Sequence, residues 1–261
     1  MAVAAVLPGR GGSGAGPRAG RAAARCSGGL AGTDGGPGVT AGGSTSREAA
    51  RLRAAARRGW WRTVLRWCGV HSVDRRLEAA AVRQEQGSLG EQWTAELLTR
   101  LPAGWQVFHD LAVPGRRFNV DHVAIPPSGD GLVVLDSKKW RKSWEGRPCP
   151  TVLLRGRVHC GRQDRHEQVE KFAGYVSGTA AALGVPAGML LPVIVVHGSP
   201  VAGGRLDVPV PAWERMVHVL AADRLLATLV GMPGGMGPVQ PRAVDLAARV
   251  RRTLPRYGSA A

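Results

Sequence analysis

Asp121, Asp136 and Lys138 are the residues whose types and spacing carry chemistry. They sit in two apolar runs, Asn119-Val-Asp-His-Val-Ala-Ile125 and Leu132-Val-Val-Leu-Asp-Ser-Lys138, separated by the turn-rich segment Pro126 to Gly131. If Ile125 pairs with Leu132 across that turn, Asp121 stands opposite Asp136 and Asn119 opposite Lys138. Side chains alternate between the two faces of a strand, so one face carries Asp121, Asp136 and Lys138 beside Val123 and Val134. The other face then carries Val120, Ala124, Val133 and Leu135. Carboxylates placed directly across a strand pair have Cβ atoms about 4.5–5.5 Å apart and repel each other unless something offsets the charge. A divalent cation does so. Mg2+ takes one or two carboxylates and completes its shell with water and phosphate oxygens. It lowers the pKa of a bound water and neutralises a phosphate, and Lys138 on the same side can orient that water or help deprotonate it. These are the parts of a metal-assisted phosphodiesterase. An Asp-x-Lys at a strand end is also what an ordinary solvated edge looks like.

Further residues extend the pattern. Gly90-Glu91, His109-Asp110-Leu111, Asn119-Val120-Asp121-His122-Val123 and Leu135-Asp136-Ser137-Lys138 with Trp140 resemble, in order and spacing, the nuclease-related domain (NERD), a branch of the PD-(D/E)XK nuclease superfamily. The resemblance covers roughly residues 86–200. It implies a restriction-endonuclease-like α/β fold, a central mixed sheet flanked by helices. It also implies that Glu91, Asp121, Asp136 and Lys138 occupy the acidic and lysine positions of the nuclease site, with Gln168 at the family's glutamine. Asp121 and Asp136 would then hold Mg2+ or Mn2+, assisted by Glu91 directly or through water, and the Ser137 carbonyl would be a further ligand. Lys138 would poise the nucleophile and Gln168 would orient water or substrate. The implied substrate is nucleic acid, DNA ahead of RNA.

Each of these residues has a plainer reading. Ser88-Leu-Gly-Glu91 fits a capping box, in which Glu91 satisfies a backbone donor at a helix start. Gln168 lies one turn before Phe172, on or beside a buried stripe. His122 points away from Asp121 and is expected to be packed. Lys139, Trp140, Arg141 and Lys142 open a basic stretch, continued by Trp144 and Arg147, that suits phosphates and unpaired bases. It also fits a solvated loop with its tryptophans tucked into the core. This R-K-S-W-E-G-R-P-C-P stretch is longer and more basic than the short Gly-containing turn usual in the family.

The rest of the chain positions these residues. Residues 1–45 hold fourteen of the 37 glycines and few large apolar side chains, so they are expected to form a disordered tail. Residues 46–70 read as a basic amphipathic helix with Trp60, Trp61 and Trp67, suited either to weak contact with an anionic membrane or to packing on the next domain. The nuclease-like domain is expected over 71–235, with a C-terminal helix and tail over 236–261. Within it, Asp74–Leu101 reads as a helix kinked around Gly87 and Gly90, followed by strands at 105–110, 119–125 and 132–138. A hairpin is expected around Arg155-Gly156-Arg157, a helix after Asp164, and a buried strand over Leu191–Val196. Helices near 221–230 and 242–254 close the domain.

Charge and composition narrow the class. The formal charge is +16, of which residues 1–70 contribute +9 and residues 71–261 the remaining +7. That surplus suits a polyanion, although the scarcity of Lys beside abundant Ala, Gly, Arg and Pro is also what a GC-rich coding bias produces. No apolar stretch approaches the roughly 18–20 residues of a membrane-spanning helix. The start of the chain lacks the pattern of a secretory signal, so a cytoplasmic location is expected. Cys26, Cys68, Cys149 and Cys160 form no C-x-x-C pair and are expected to be free thiols. Two alternatives to a nuclease stand: a non-catalytic nucleic-acid-binding module with the same fold, and a peripheral membrane protein.

Overall fold

The computed structural model describes residues 43–56 and 75–257. The tail expected over 1–45 lies outside the described residues except for its last three. Of the basic helix expected over 46–70, only the part up to Ala56 is described, so Trp60, Trp61 and Trp67 also fall outside. Helix α1 (Gly43–Ala56) packs on α2 (Arg75–Leu98). Arg53 pairs with Glu85, and the Ser46 and Ser88 hydroxyls lie 2.7 Å apart.

Strands β1 (Gln106–Ala112), β2 (Asn119–Ile125) and β3 (Leu132–Lys139) form an antiparallel meander. A ribbon of short strands follows: β4 (Ser143–Trp144), β5 (Arg147–Pro148), β6 (Thr151–Leu154), β7 (Arg157–Cys160) and β8 (Gln163–Asp164). Helix α3 (His166–Leu183) leads back to β9 (Leu190–His197), which lies parallel to β3. The hairpin β10 (Arg205–Val210) and β11 (Trp213–Ala221) completes a six-stranded mixed sheet of order β1-β2-β3-β9-β11-β10. Helices α4 (Leu225–Gly231) and α5 (Pro241–Thr253) close the domain. The architecture is α/β, as expected.

Periodicity explains the centre of the sheet. Every residue of β9 except Leu191 is buried, which suits a parallel strand covered on both faces. On one face Val123, Ile125, Leu132 and Val134 pack with Val169, Phe172, Ala173 and Val176 of α3 and with Ala243, Ala247 and Val250 of α5. On the other, Ala124, Val133 and Leu135 pack with Leu98 of α2 and Leu225 and Leu229 of α4. Val120, assigned to this second face by alternation, joins the first core beside Leu111 instead.

Three further differences from the sequence reading have physical causes. Helix α2 runs without interruption through Gly87 and Gly90. A Cβ at Gly90 would lie 3.7–3.8 Å from Lys139 and Ser137, so that glycine marks a close helix–strand approach rather than a break. The strands β10 and β11 were not visible in the sequence because charged residues interleave their apolar ones and Pro209 interrupts the pattern; β10 is an edge strand, where proline is tolerated. The C-terminal helix set apart at 236–261 belongs to the domain core through Ala243, Leu246, Ala247 and Val250. The chain after it returns to β1, where Tyr257 N–H donates to the Asp110 carbonyl at 2.7 Å and Leu111 bridges to Arg256.

Gly129, in the β2–β3 turn, has φ of +66°, and a Cβ there would come within 2.3 Å of the Ala243 nitrogen at the start of α5. Gly129→Ala combines a left-handed backbone penalty with a backbone collision, and is expected to cost about 2–4 kcal/mol. Chemical denaturation of the variant checks this, and an unchanged midpoint would show that α5 does not dock there.

Candidate active site

The β2–β3 ladder pairs His122 with Leu135, Val123 with Val134 and Ala124 with Val133, which is the register that places Asp121 opposite Asp136. Regular pairing ends at His122. The Ser137 N–H, which faces β2, donates to Asp121 Oδ2 at 2.8 Å instead of to a strand carbonyl. The two carboxylates therefore stand at the point where the strands part. Lys138 Nζ donates to Asp136 Oδ1 at 2.9 Å and lies 2.6 Å from Oδ2. That Oδ2 is buried, and its close partner is the Lys138 ammonium.

Electrostatics ties four residues together. Burial, reinforced by the Asp136 and Glu91 carboxylates, pushes the Asp121 carboxyl well above its ordinary range, against the opposing pull of Lys138 and the Ser137 N–H. Burial alone would lower Lys138, but Asp136, Asp121 and Glu91 outweigh it and hold the side chain as an ammonium. Glu91 is 6% exposed and arrives from α2, the helix on the other face of the sheet. It lies well inside that helix, and Ser88 is engaged with Ser46 and Gln92, so the capping-box reading does not apply. Among the described residues no three His, Cys, Asp or Glu side chains form a ready-made metal cage. Mg2+ does not need one, because two carboxylates and water suffice. Asp121 and Asp136, with the Glu91 carboxylate acting on Asp121, have the oxygen chemistry that such an ion takes.

Gln168 joins the site through Trp140. The Trp140 indole N–H donates to Gln168 Oε1 at 3.2 Å, and the ring is 5% exposed. The expectation that Trp140 stacks on a base is therefore corrected, since its ring is enclosed by the core and serves to hold Gln168. Lys139 is separated from Lys138 by strand alternation and lies 4.7 Å over the Trp93 ring, on the α2 side. Arg141 and Lys142 are exposed beyond the end of β3.

A polar chain that the sequence did not reveal buttresses this pocket from behind. His109 Nδ1 meets His122 Nδ1 at 2.8 Å, and His122 Nε2 lies 3.4 Å from Ser137 Oγ. Ser137 Oγ donates to Thr94 Oγ1 at 2.8 Å, and Thr94 meets His197 Nε2 at 2.8 Å. His122 also donates to the Glu91 main-chain carbonyl. Burial lowers all three histidines, with smaller contributions from Arg256 on His109, from His109 and His197 on His122, and from Lys139 on His197, which falls to about 4. Neutral rings, each with one N–H and one bare nitrogen, are what such a chain needs. The same chain holds Glu91 through its carbonyl and Asp121 through the Ser137 backbone. Asp110, at φ +53°, is held by Asn119 Nδ2 at 3.0 Å, so His109, Asp110, Asn119 and His122 are scaffolding around Asp121.

The match to a known family falls on this segment: residues 86–183 fit the model of the nuclease-related domain, NERD. This stretch is similar to a nuclease-related domain. It runs from within α2 to the end of α3 and contains Glu91, Asp121, Asp136, Lys138 and Gln168, whereas β9, β10, β11, α4 and α5 lie beyond it. No curated protein and no solved structure matches the chain. No helix among the described residues is long and apolar enough to cross a membrane.

Two outcomes follow for stability. A histidine whose folded pKa is depressed contributes stability that is complete above its unfolded value near 6.5 and is lost as pH falls through the folded value, about 4 for His197. The melting temperature should therefore drop between pH 6.5 and 4, and less steeply in His197→Asn; parallel curves would remove His197 from that role. Asp121 has the opposite sign, because its raised pKa makes ionisation oppose folding at neutral pH. Asp121→Asn keeps an acceptor for Ser137 and should stabilise the metal-free protein by about 0.5–2 kcal/mol at pH 7, as measured by thermal unfolding.

Proposed function

We propose that this domain hydrolyses phosphodiester bonds of nucleic acid, DNA ahead of RNA, with Mg2+ or Mn2+ held by Asp121 and Asp136 and assisted by Glu91. The observation that carries the reading is the pairing of Asp121 opposite Asp136 where β2 and β3 separate, with Lys138 against Asp136 and the Ser137 N–H on Asp121. When bound, the cation would supply charge neutralisation at the phosphate and acidify a water. Lys138, an ammonium on the same face as Asp136, donates to a phosphoryl oxygen or to the attacking water and stabilises negative charge building on phosphorus. Gln168, held by Trp140, presents its amide N–H groups for orienting that water or a non-bridging oxygen. The Ser137 N–H fixes one Asp121 oxygen.

The test is a cleavage assay on supercoiled and linear DNA and on RNA, with and without Mg2+, for wild type, Asp136→Ala and Lys138→Ala. Loss of either side chain should lower the rate by at least about 100-fold, and chelation should abolish it. Equal rates in all three proteins would reject the assignment and leave a nucleic-acid-binding module of the same fold. Gln168→Ala is expected to lower the rate by a smaller factor, and Trp140→Phe, which removes the indole N–H along with part of the buried ring, to follow it in the same assay.

A further inference from the structure

Most of the positive surplus of the folded region is concentrated in one place. Residues 139–165 contain eight Lys or Arg against Glu145 and Asp164, a net +6 out of the +7 carried by residues 71–261. These residues include the β4–β8 ribbon, and Arg141, Arg147 and Arg162 converge there on a cleft of about 470 Å3, opposed by Glu145 and floored by Cys149 and Cys160. Pockets for small ligands span about 300–1,000 Å3, so the cleft has room for a nucleotide-sized group. Arg147 and Arg162 are exposed and have no ion-pair partner among the described residues.

The ribbon is firmly mounted. The Ser199 hydroxyl, just past the end of β9, donates to the Cys149 carbonyl at 2.5 Å, and Thr151 N–H donates to the Pro200 carbonyl at 2.7 Å. Cys149 N–H donates to the Lys142 carbonyl at 2.9 Å, and the Cys160 thiol points at the Cys149 carbonyl at 3.6 Å. Both cysteines are free thiols, so the floor is held by hydrogen bonds rather than a disulfide. The Arg147 and Arg162 guanidinium forks, over a concave floor, match the oxygens of a phosphate better than a flat surface does.

We infer that this cleft is a second nucleic-acid contact, which grips a backbone phosphate of the substrate strand away from the bond that is cut. The inference rests on the nuclease reading for its substrate class, and the chain connects the two sites directly, since Arg141 follows Lys138 by three residues and Gln163 precedes Gln168 by five. The cleft would let the domain hold a strand independently of the metal pocket.

The test measures binding of the full chain to fluorescent 20-nucleotide single-stranded and duplex DNA by anisotropy, in EDTA, across a salt series. Each phosphate contact contributes about 0.7–0.9 to the slope of log K against log salt. Arg147→Ala/Arg162→Ala should weaken binding about 10-fold or more at 0.1 M salt and flatten the slope by about 1–2. Arg147→Lys/Arg162→Lys, which keeps the charge but loses the fork, should fall between that variant and wild type. Arg100→Ala/Arg252→Ala removes equal charge from exposed positions elsewhere and should change little. Wild-type affinity and slope in the first variant would overturn the inference, as would binding to phosphatidylserine vesicles through Arg147 and Arg162 without binding to DNA, an outcome to which exposed Leu154 at the ribbon tip would contribute. Absence of DNA binding by the wild type would also overturn it. Repeating the series in Asp136→Ala separates the two readings: a persisting arginine effect with no cleavage by the wild type removes hydrolysis alone, whereas intact cleavage with unchanged affinity removes the cleft alone.

Discussion

Two acid groups facing each other across neighbouring strands set the terms for the rest of the domain. Asp121 and Asp136 repel, and burial makes the repulsion worse because less water screens it. Folding tolerates the pair because Lys138 lies against Asp136, the Ser137 N–H grips Asp121, and the ladder opens at that level to let it do so. None of these contacts removes the repulsion. They hold the groups in place while leaving Asp121 reluctant to ionise, a state that costs stability and suits a cation. Natural proteins often keep such local conflicts where chemistry is done.

The surrounding layers make that conflict sustainable. Helix α3 brings Gln168 to one side, and α2 brings Glu91 from the other, so the pocket draws on both faces of the sheet. Behind it, the run from His109 through His122, Ser137 and Thr94 to His197 crosses β1, β2, β3, α2 and β9. A chain of neutral hydrogen-bonding groups couples the positions of these elements without adding a charge to a site that already holds four ionisable side chains. Gly198 contributes at the far end of β9: at φ +91° it passes so near the Trp140 carbonyl that a Cβ would fall within 2.5 Å of it, and this close passage fixes the backbone of the tryptophan that holds Gln168.

Much of this was legible in the sequence, for identifiable reasons. The β2–β3 register follows from two apolar runs with a short turn between them, because a slip by one residue would expose Val123, Ile125, Leu132 and Val134. The all-apolar stretch that became β9 announced a central strand, and the Arg155-Gly156 turn, with both residues at positive φ, announced the β6–β7 hairpin. What remained hidden depended on distant partners. Gly90 looks like a helix breaker until the approach of β3 is known, and Trp140 looks like a surface aromatic until the core around it is assembled. The histidine chain joins residues about a hundred positions apart, and a short window of sequence contains no sign of it. Alternation turns His122 away from Asp121 and into the protein, but the partners it meets there, His109 and Ser137, are set by the fold.

The pairing of β3 with β9 has a consequence in time. Asp136 sits beside Ile194 and Lys138 beside Val196, strands separated in sequence by the whole ribbon and α3. A chain emerging from the ribosome thus carries every acid, lysine and glutamine of the pocket well before the strand that supports them has been made, and a nascent polypeptide halted at that stage has the side chains of the pocket without a frame to aim them.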